Sequence, residues 1–339
     1  GWVMAPGNND GFLFGNSSRL LPSLVREWDA SAETYVFDGV TIESRSLQKD
    51  RFVSYYLASL ILQDAVWSGP LARGLGPDFE ASLSGWRDRV AGSGAGDGPS
   101  FAAYWVALEA LQEQIYDLEP AAGRELHEVD LSAELVGSAR PHLRRIAWQI
   151  DKRYGWRSFL VQEVDITAPS PDESNRTSIL VLDSAQYYAQ PSIEAGAVTG
   201  VASAVTKGRL KTQMAGLHGN VLELQAEAAG GFARAMEREG RRWMLATHHP
   251  YRDIAWKSKR RFDRLREAGG IPVTLSAHSH VGEILWNRDE DREGEWLEIN
   301  VGSILDAPVE FRDLQLVRAG DRIAVRVERH GMEERLRDQ

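Results

Sequence analysis

Apolar residues recur along this chain at two different spacings, and the change from one to the other divides it. The chain opens on a short apolar run, Trp2-Val3-Met4-Ala5, which meets the turn formers Pro6-Gly7-Asn8-Asn9-Asp10-Gly11. That pattern predicts a strand end passing into a loop. From about Leu47 to Tyr154 apolar positions return at steps of three and four, as at Tyr104, Leu108, Leu111 and Ile115, and this predicts helices. A Gly- and Ser-rich stretch, Ala91 to Ser100, splits the region into two helical parts. The run from Phe52 to Leu62 reads as a buried helix, because it falls short of the roughly 20 residues that a membrane span needs.

Strand-like runs then take over. They are expected at Ser158–Thr167, Ser178–Leu182, Arg242–Thr247 and Ile271–Ala277, then near Trp296–Val301, Arg312–Val317 and Arg322–Glu328. Helices are expected between them over Gly219–Arg238 and Lys257–Ala268. The acidic cluster Asp289 to Glu295 reads as a solvated hairpin tip. Short strands mixed with helices point to an α/β sandwich that carries a helical insertion over 45–155. With 339 residues, 43% of them hydrophobic, one domain over 1–339 with that insertion is long enough to bury a sizeable core.

Charge and cysteine usage remove several chemistries. The formal net charge of −10 argues against nonspecific binding to nucleic acid or anionic membranes, while leaving room for a local basic pocket. The chain has no cysteine, which excludes disulfides, thiolate zinc sites and cysteine nucleophiles. No signal peptide is visible and a cytoplasmic location is expected.

Four places remain that combine turn geometry with ligand chemistry. Ala277-His278-Ser279-His280 carries two imidazoles two residues apart, which point to one side if the backbone is extended. Neutral imidazole is a common ligand for zinc, iron and manganese. Thr247-His248-His249-Pro250 follows the apolar run Trp243-Met244-Leu245-Ala246, so its imidazoles sit at a strand end, where α/β folds place ligands. Gly7-Asn8-Asn9-Asp10 can present an amide oxygen to a hard cation, and by itself is also an ordinary turn. Ile179-Leu180-Val181-Leu182-Asp183-Ser184 is an apolar strand ending in a carboxylate and a hydroxyl, equally consistent with a turn cap.

Read in order, these elements resemble the calcineurin-like metallophosphoesterase family, whose pattern runs D-x-H, G-D, G-N-H-[DE], a histidine after a strand, and G-H-x-H. Gly7-Asn8-Asn9-Asp10 resembles the third element, His248-His249-Pro250 the fourth and Ala277-His278-Ser279-His280 the fifth; Asn300-Val301-Gly302-Ser303 resembles a strand end that follows them. The resemblance implies a four-layer α/β/β/α sandwich, incomplete at its N-terminus, and two divalent or trivalent transition-metal ions of the Mn, Fe or Zn class. By that resemblance Asn8, His248 and His278 bind one ion, His280 binds the other, and His249 contacts substrate. In the family a hydroxide bridging the two ions attacks phosphorus, so the implied activity is hydrolysis of a phosphate-ester small molecule.

Three departures accompany the resemblance. The D-x-H and G-D elements have no counterpart, so the sequence is expected to be a fragment of a longer gene product. Asn9 stands where the family has a histidine; an amide cannot exchange a proton near neutral pH, which favours diesters or good leaving groups. Ala277 replaces the first Gly of the last motif. Two other readings stay open: a degenerate, non-catalytic version of the fold acting as a binding module, and a zinc hydrolase of another fold.

Overall fold

The computed structural model describes residues 27–29, 34–37, 40–43, 49–63, 71–92, 101–132, 142–152, 157–167, 176–185, 219–268, 270–288, 294–302, 310–319 and 322–331. The Asn8 and Asn9 expectations therefore lie outside the described residues. Three short strands, β1 (Glu27–Asp29), β2 (Thr34–Phe37) and β3 (Val40–Glu43), pair antiparallel as a small sheet. The helices α1 (Lys49–Gln63), α2 (Pro77–Gly92) and α3 (Phe101–Asp117) follow.

The main sheet is built from β4 (His127–Asp130), β5 (His142–Gln149), β6 (Phe159–Asp165), β7 (Thr177–Leu182), β8 (Arg242–Thr247), β9 (Val273–Ser276), β10 (Glu283–Arg288) and β11 (Glu295–Asn300). Its order is β10-β11-β9-β8-β7-β6-β5-β4. The pairs β7·β8, β8·β9 and β9·β11 are parallel, and the outer pairs are antiparallel. The molecule is thus of mixed α/β class. The parallel centre requires crossovers, and two helices supply packing for them: α4 (Glu223–Arg238) before β8 and α5 (Trp256–Glu267) before β9.

Alternation along the strands sends two apolar sets to opposite faces. One face carries Leu180, Leu182, Trp243 and Leu245, which pack with Phe232 and Met236 of α4 and Phe262 and Leu265 of α5. The other face is covered in two parts. Over β4 to β7, α1 and α3 bury Phe52, Leu57, Leu60, Leu111 and Ile115 against Ile146, Leu160 and Val164, and Tyr56 donates a 2.8 Å hydrogen bond to Gln162 of β6. Over β8, β9 and β11 lies the antiparallel hairpin of β12 (Glu310–Ala319) and β13 (Arg322–Gly331), whose Leu316, Val325 and Val327 meet Met244, Val273 and Ile299. A cavity of about 690 Å³, lined by Ile179, Met244, Val273, Leu316 and Val325 among others, separates hairpin from sheet.

The structure corrects the reading of 47–154 as mostly helical. Helix α3 ends at Asp117, and His127–Asp130 and His142–Gln149 are strands of the main sheet, so among the described residues the helices of the expected insertion lie in its first two thirds. The spacing of Leu143, Ile146, Ala147 and Ile150 imitates a helical period, but pairing of β5 with β6 across the buried sheet decides the conformation. A register shift between Leu143 and Arg145 adds to the imitation, because a bulge breaks the two-residue alternation. Strand β10, which the apolar pattern does not predict, forms a hairpin with β11 in which Arg288 faces Glu295; residues 289–293 of the expected acidic tip lie outside the described residues.

Candidate metal centre

Because β7, β8 and β9 are parallel, their C-terminal ends reach the same edge of the sheet, and three histidines meet there. His248 and His249 follow β8 directly, and His278 stands two residues past β9. The backbone holds the two loops together: Ala277 N–H donates to the His248 carbonyl at 2.9 Å. His248 Nε2 and His278 Nδ1 lie 3.2 Å apart. The His249 ring centroid is 4.3 Å from that of His278 and 4.9 Å from that of His248. One ring nitrogen from each of the three falls within 4.8 Å of the others.

His249 is fully buried, and its surroundings fix it. Ser184, just past β7, accepts the His249 backbone N–H at 3.0 Å. The same Oγ is 3.0 Å from His249 Nδ1. Ser184 thus engages Nδ1, and Nε2 is the ring nitrogen on the other edge. Gly219 packs against the ring so closely that a Cβ there would stand 2.6 Å from the His249 Cβ. Gly219 is held in turn by Asp253 and Ala255 through 2.8 Å backbone bonds, and Asn220 N–H donates to the Ser184 carbonyl at 2.8 Å. The helix expected from Gly219 therefore starts at Glu223, because residues 219 and 220 form bridges to Ile254 and Ala185 instead. Gln225 completes the brace: Nε2 donates to the Asp183 carbonyl at 2.6 Å, and Oε1 accepts the Leu222 N–H at 3.1 Å.

The H-x-H pair differs from expectation. Strand β9 stops at Ser276, and His278 and His280 take φ of +69° and +57°, in the left-handed region rather than extended. Ser279 N–H closes a tight turn on the Ala277 carbonyl at 2.8 Å. In that backbone, residues two apart do not share a side, and His280 is not part of the three-histidine group. Left-handed backbone at two non-glycine residues costs about 1–3 kcal/mol each, a strain that clusters at functional sites. His249 also differs: it is completely buried and presents no surface to substrate in this structure.

The donor set fits a borderline transition metal. Two nitrogens each about 2.0–2.1 Å from one ion at a tetrahedral angle stand about 3.3 Å apart, close to the 3.2 Å between His248 and His278. Nearby, Asn300 ends β11 opposite Ser276; both are buried, and neither Asn300 amide atom nor Ser276 Oγ has a hydrogen-bond partner among the described residues. Each such atom costs about 1–3 kcal/mol unless something polar meets it.

Sequence reasoning named His248, His249 and His278, and placed Ser184 at a strand end. It missed Gly219 and Gln225, for which a lone Gly and a helical Gln give no signal. No model of a known protein family matches the chain, and no curated protein matches it. Among the described residues no helix is long and apolar enough to cross a membrane.

Proposed function

We propose that this chain is a metal-dependent hydrolase of phosphate esters, with phosphodiesters preferred, of the calcineurin-like metallophosphoesterase type. In this reading the eight-stranded sheet and its two helices form one half of the four-layer sandwich, and the β12–β13 hairpin belongs to the facing half. The observation that carries the proposal is the approach of His248 and His278, thirty residues apart in sequence, to 3.2 Å at the carboxyl ends of parallel strands.

His248 and His278 would hold a Mn-, Fe- or Zn-class ion, with His249 Nε2 in reach and Ser184 orienting His249. Such an ion supplies Lewis acidity toward a phosphoryl oxygen and offsets charge that builds on the phosphate. Asn8 and His280 keep their places as the remaining ligands of this proposal, toward the first and second ion. Asn9 supplies no proton, so the reading favours leaving groups that depart without one.

The test is metal content by plasma mass spectrometry on protein purified without chelator, paired with turnover of bis(4-nitrophenyl) phosphate. His248→Ala is expected to weaken metal binding about 100-fold or more and to abolish turnover. Bound metal with no turnover of any monoester or diester would instead favour the binding-module reading.

A further inference from the structure

Helix α5 carries an amount of positive charge at odds with the rest of the chain. Six of its twelve residues are basic (Lys257, Lys259, Arg260, Arg261, Arg264 and Arg266) against Asp263 and Glu267, within a sequence of net charge −10. Ser258, Phe262 and Leu265 are buried beneath the helix, which fixes the opposite side outward. Steps of four align Trp256, Arg260 and Arg264 on that outer side, with Lys257 beside them. All four are exposed, Trp256 at 64% and the Arg264 side chain at 62%.

The inner cations are engaged: Arg261 donates to Glu223 at 2.6 Å, Lys259 lies over the Tyr251 ring, and Arg266 over Trp296. Arg264 reaches Glu223 only at 3.4 Å. Arg260 makes no ion pair among the described residues. Lys257 lies 5.6 Å from the centre of the Trp256 indole.

We propose that this stripe docks the molecule on an anionic phospholipid surface. An exposed indole beside three cations is the combination that suits a headgroup layer: the ring sits at the level of the lipid carbonyls while guanidinium and ammonium groups pair with phosphates. A single-stranded nucleic acid would call instead for further aromatics along the stripe on which successive bases stack; Trp256 is the one aromatic on the outer side of α5. The docking orients the site. Because β8, α5 and β9 form a crossover, α5 begins at the sheet edge that holds the three histidines, and Trp256 follows the His249-Pro250 turn by a few residues. The docking stands whether or not the site hydrolyses phosphate esters.

The experiment is co-sedimentation of the full chain with vesicles of phosphatidylcholine alone, or containing about 30% phosphatidylglycerol, at low and physiological salt. Binding is expected only to the anionic vesicles and should weaken with salt. Arg260→Glu combined with Arg264→Glu is expected to lower the partition coefficient about tenfold or more, and Trp256→Ser to lower it less, with unchanged circular dichroism in each. Equal sedimentation of the parent and the double variant overturns the proposal, as does an absence of phosphatidylglycerol-dependent binding. Capture of duplex DNA without capture of vesicles overturns it in favour of a nucleic-acid surface.

Discussion

At the start of β7 and β8, four arginines meet four carboxylates; at the far end of the same two strands, three imidazoles meet one another. Arg144, Arg145, Arg176 and Arg241 are all buried there with Glu163 and Asp165, and Glu239 and Asp130 close the cluster toward solvent. Arg176 pairs with Asp165 at 2.8 Å, Arg145 with Glu163 at 2.6 Å and Asp130 at 2.9 Å, and Arg241 with both Glu163 and Asp165. The bulge at Leu143/Arg145 is what lets two consecutive arginines enter one cluster. Among the described residues the positive and negative groups balance, so the cluster closes on itself. The histidine end has a different make-up: its three-residue group is all imidazole, the donor chemistry that the proposed metal would use. Buried polarity by itself does not mark a site; at one end opposite charges cancel, and at the other groups of a single kind gather.

That contrast can be broken at either end. Arg241→Met leaves Glu163 and Asp165 short of a partner in the interior, and is expected to cost about 3–5 kcal/mol in urea denaturation, with metal affinity of the folded fraction unchanged. A cost near zero would remove the cluster's structural role. Ser184→Ala frees His249 Nδ1 and strands a buried backbone N–H, so metal affinity should fall about 10–100-fold by titration calorimetry, with a stability loss of about 1–3 kcal/mol. Unchanged metal affinity would mean that His249 plays no part in binding.

The smallest effect is acid sensitivity. Burial alone would raise the Asp165 carboxyl, but the hydrogen bond from Arg176 and the fields of Arg241 and Arg176 outweigh it and hold the group below its ordinary 3.8. For Asp130, too, hydrogen bonds from Ser132 and Arg145 outweigh burial and lower it. A depressed folded-state value means that the unfolded chain binds more protons as pH falls. The stabilisation is complete above about pH 5 and is lost as pH drops below about 4, through the folded values. Melting temperature measured from pH 7 to 3 should show that decline, with a shallower slope in Arg241→Met.

Much of the fold was legible because its strands are apolar and short: Ser178–Leu182 and Arg242–Thr247 match β7 and β8 to within a residue. Buried Leu108, Leu111 and Ile115 bear out the apolar face read into α3. What failed shares a cause. Arg144 and Arg145 made β5 look unlike a buried strand, since only the partners Glu163 and Asp165, distant in sequence, explain two charges in the interior. The same holds at the site. The order of histidines along the chain was readable, but the left-handed turn at His278 and the seat of His249 under Gly219 depend on contacts that no local pattern encodes.

The bridge between Ala185 and Asn220 has a further consequence. It holds Ala185 beside Asn220, with Asn220 N–H on the Ser184 carbonyl at 2.8 Å. Ser184 and Gly219, next to the two bridged residues, are both in contact with His249. The bridge thus works as a clasp: it holds Ser184 and Gly219, distant in sequence, in register against one imidazole.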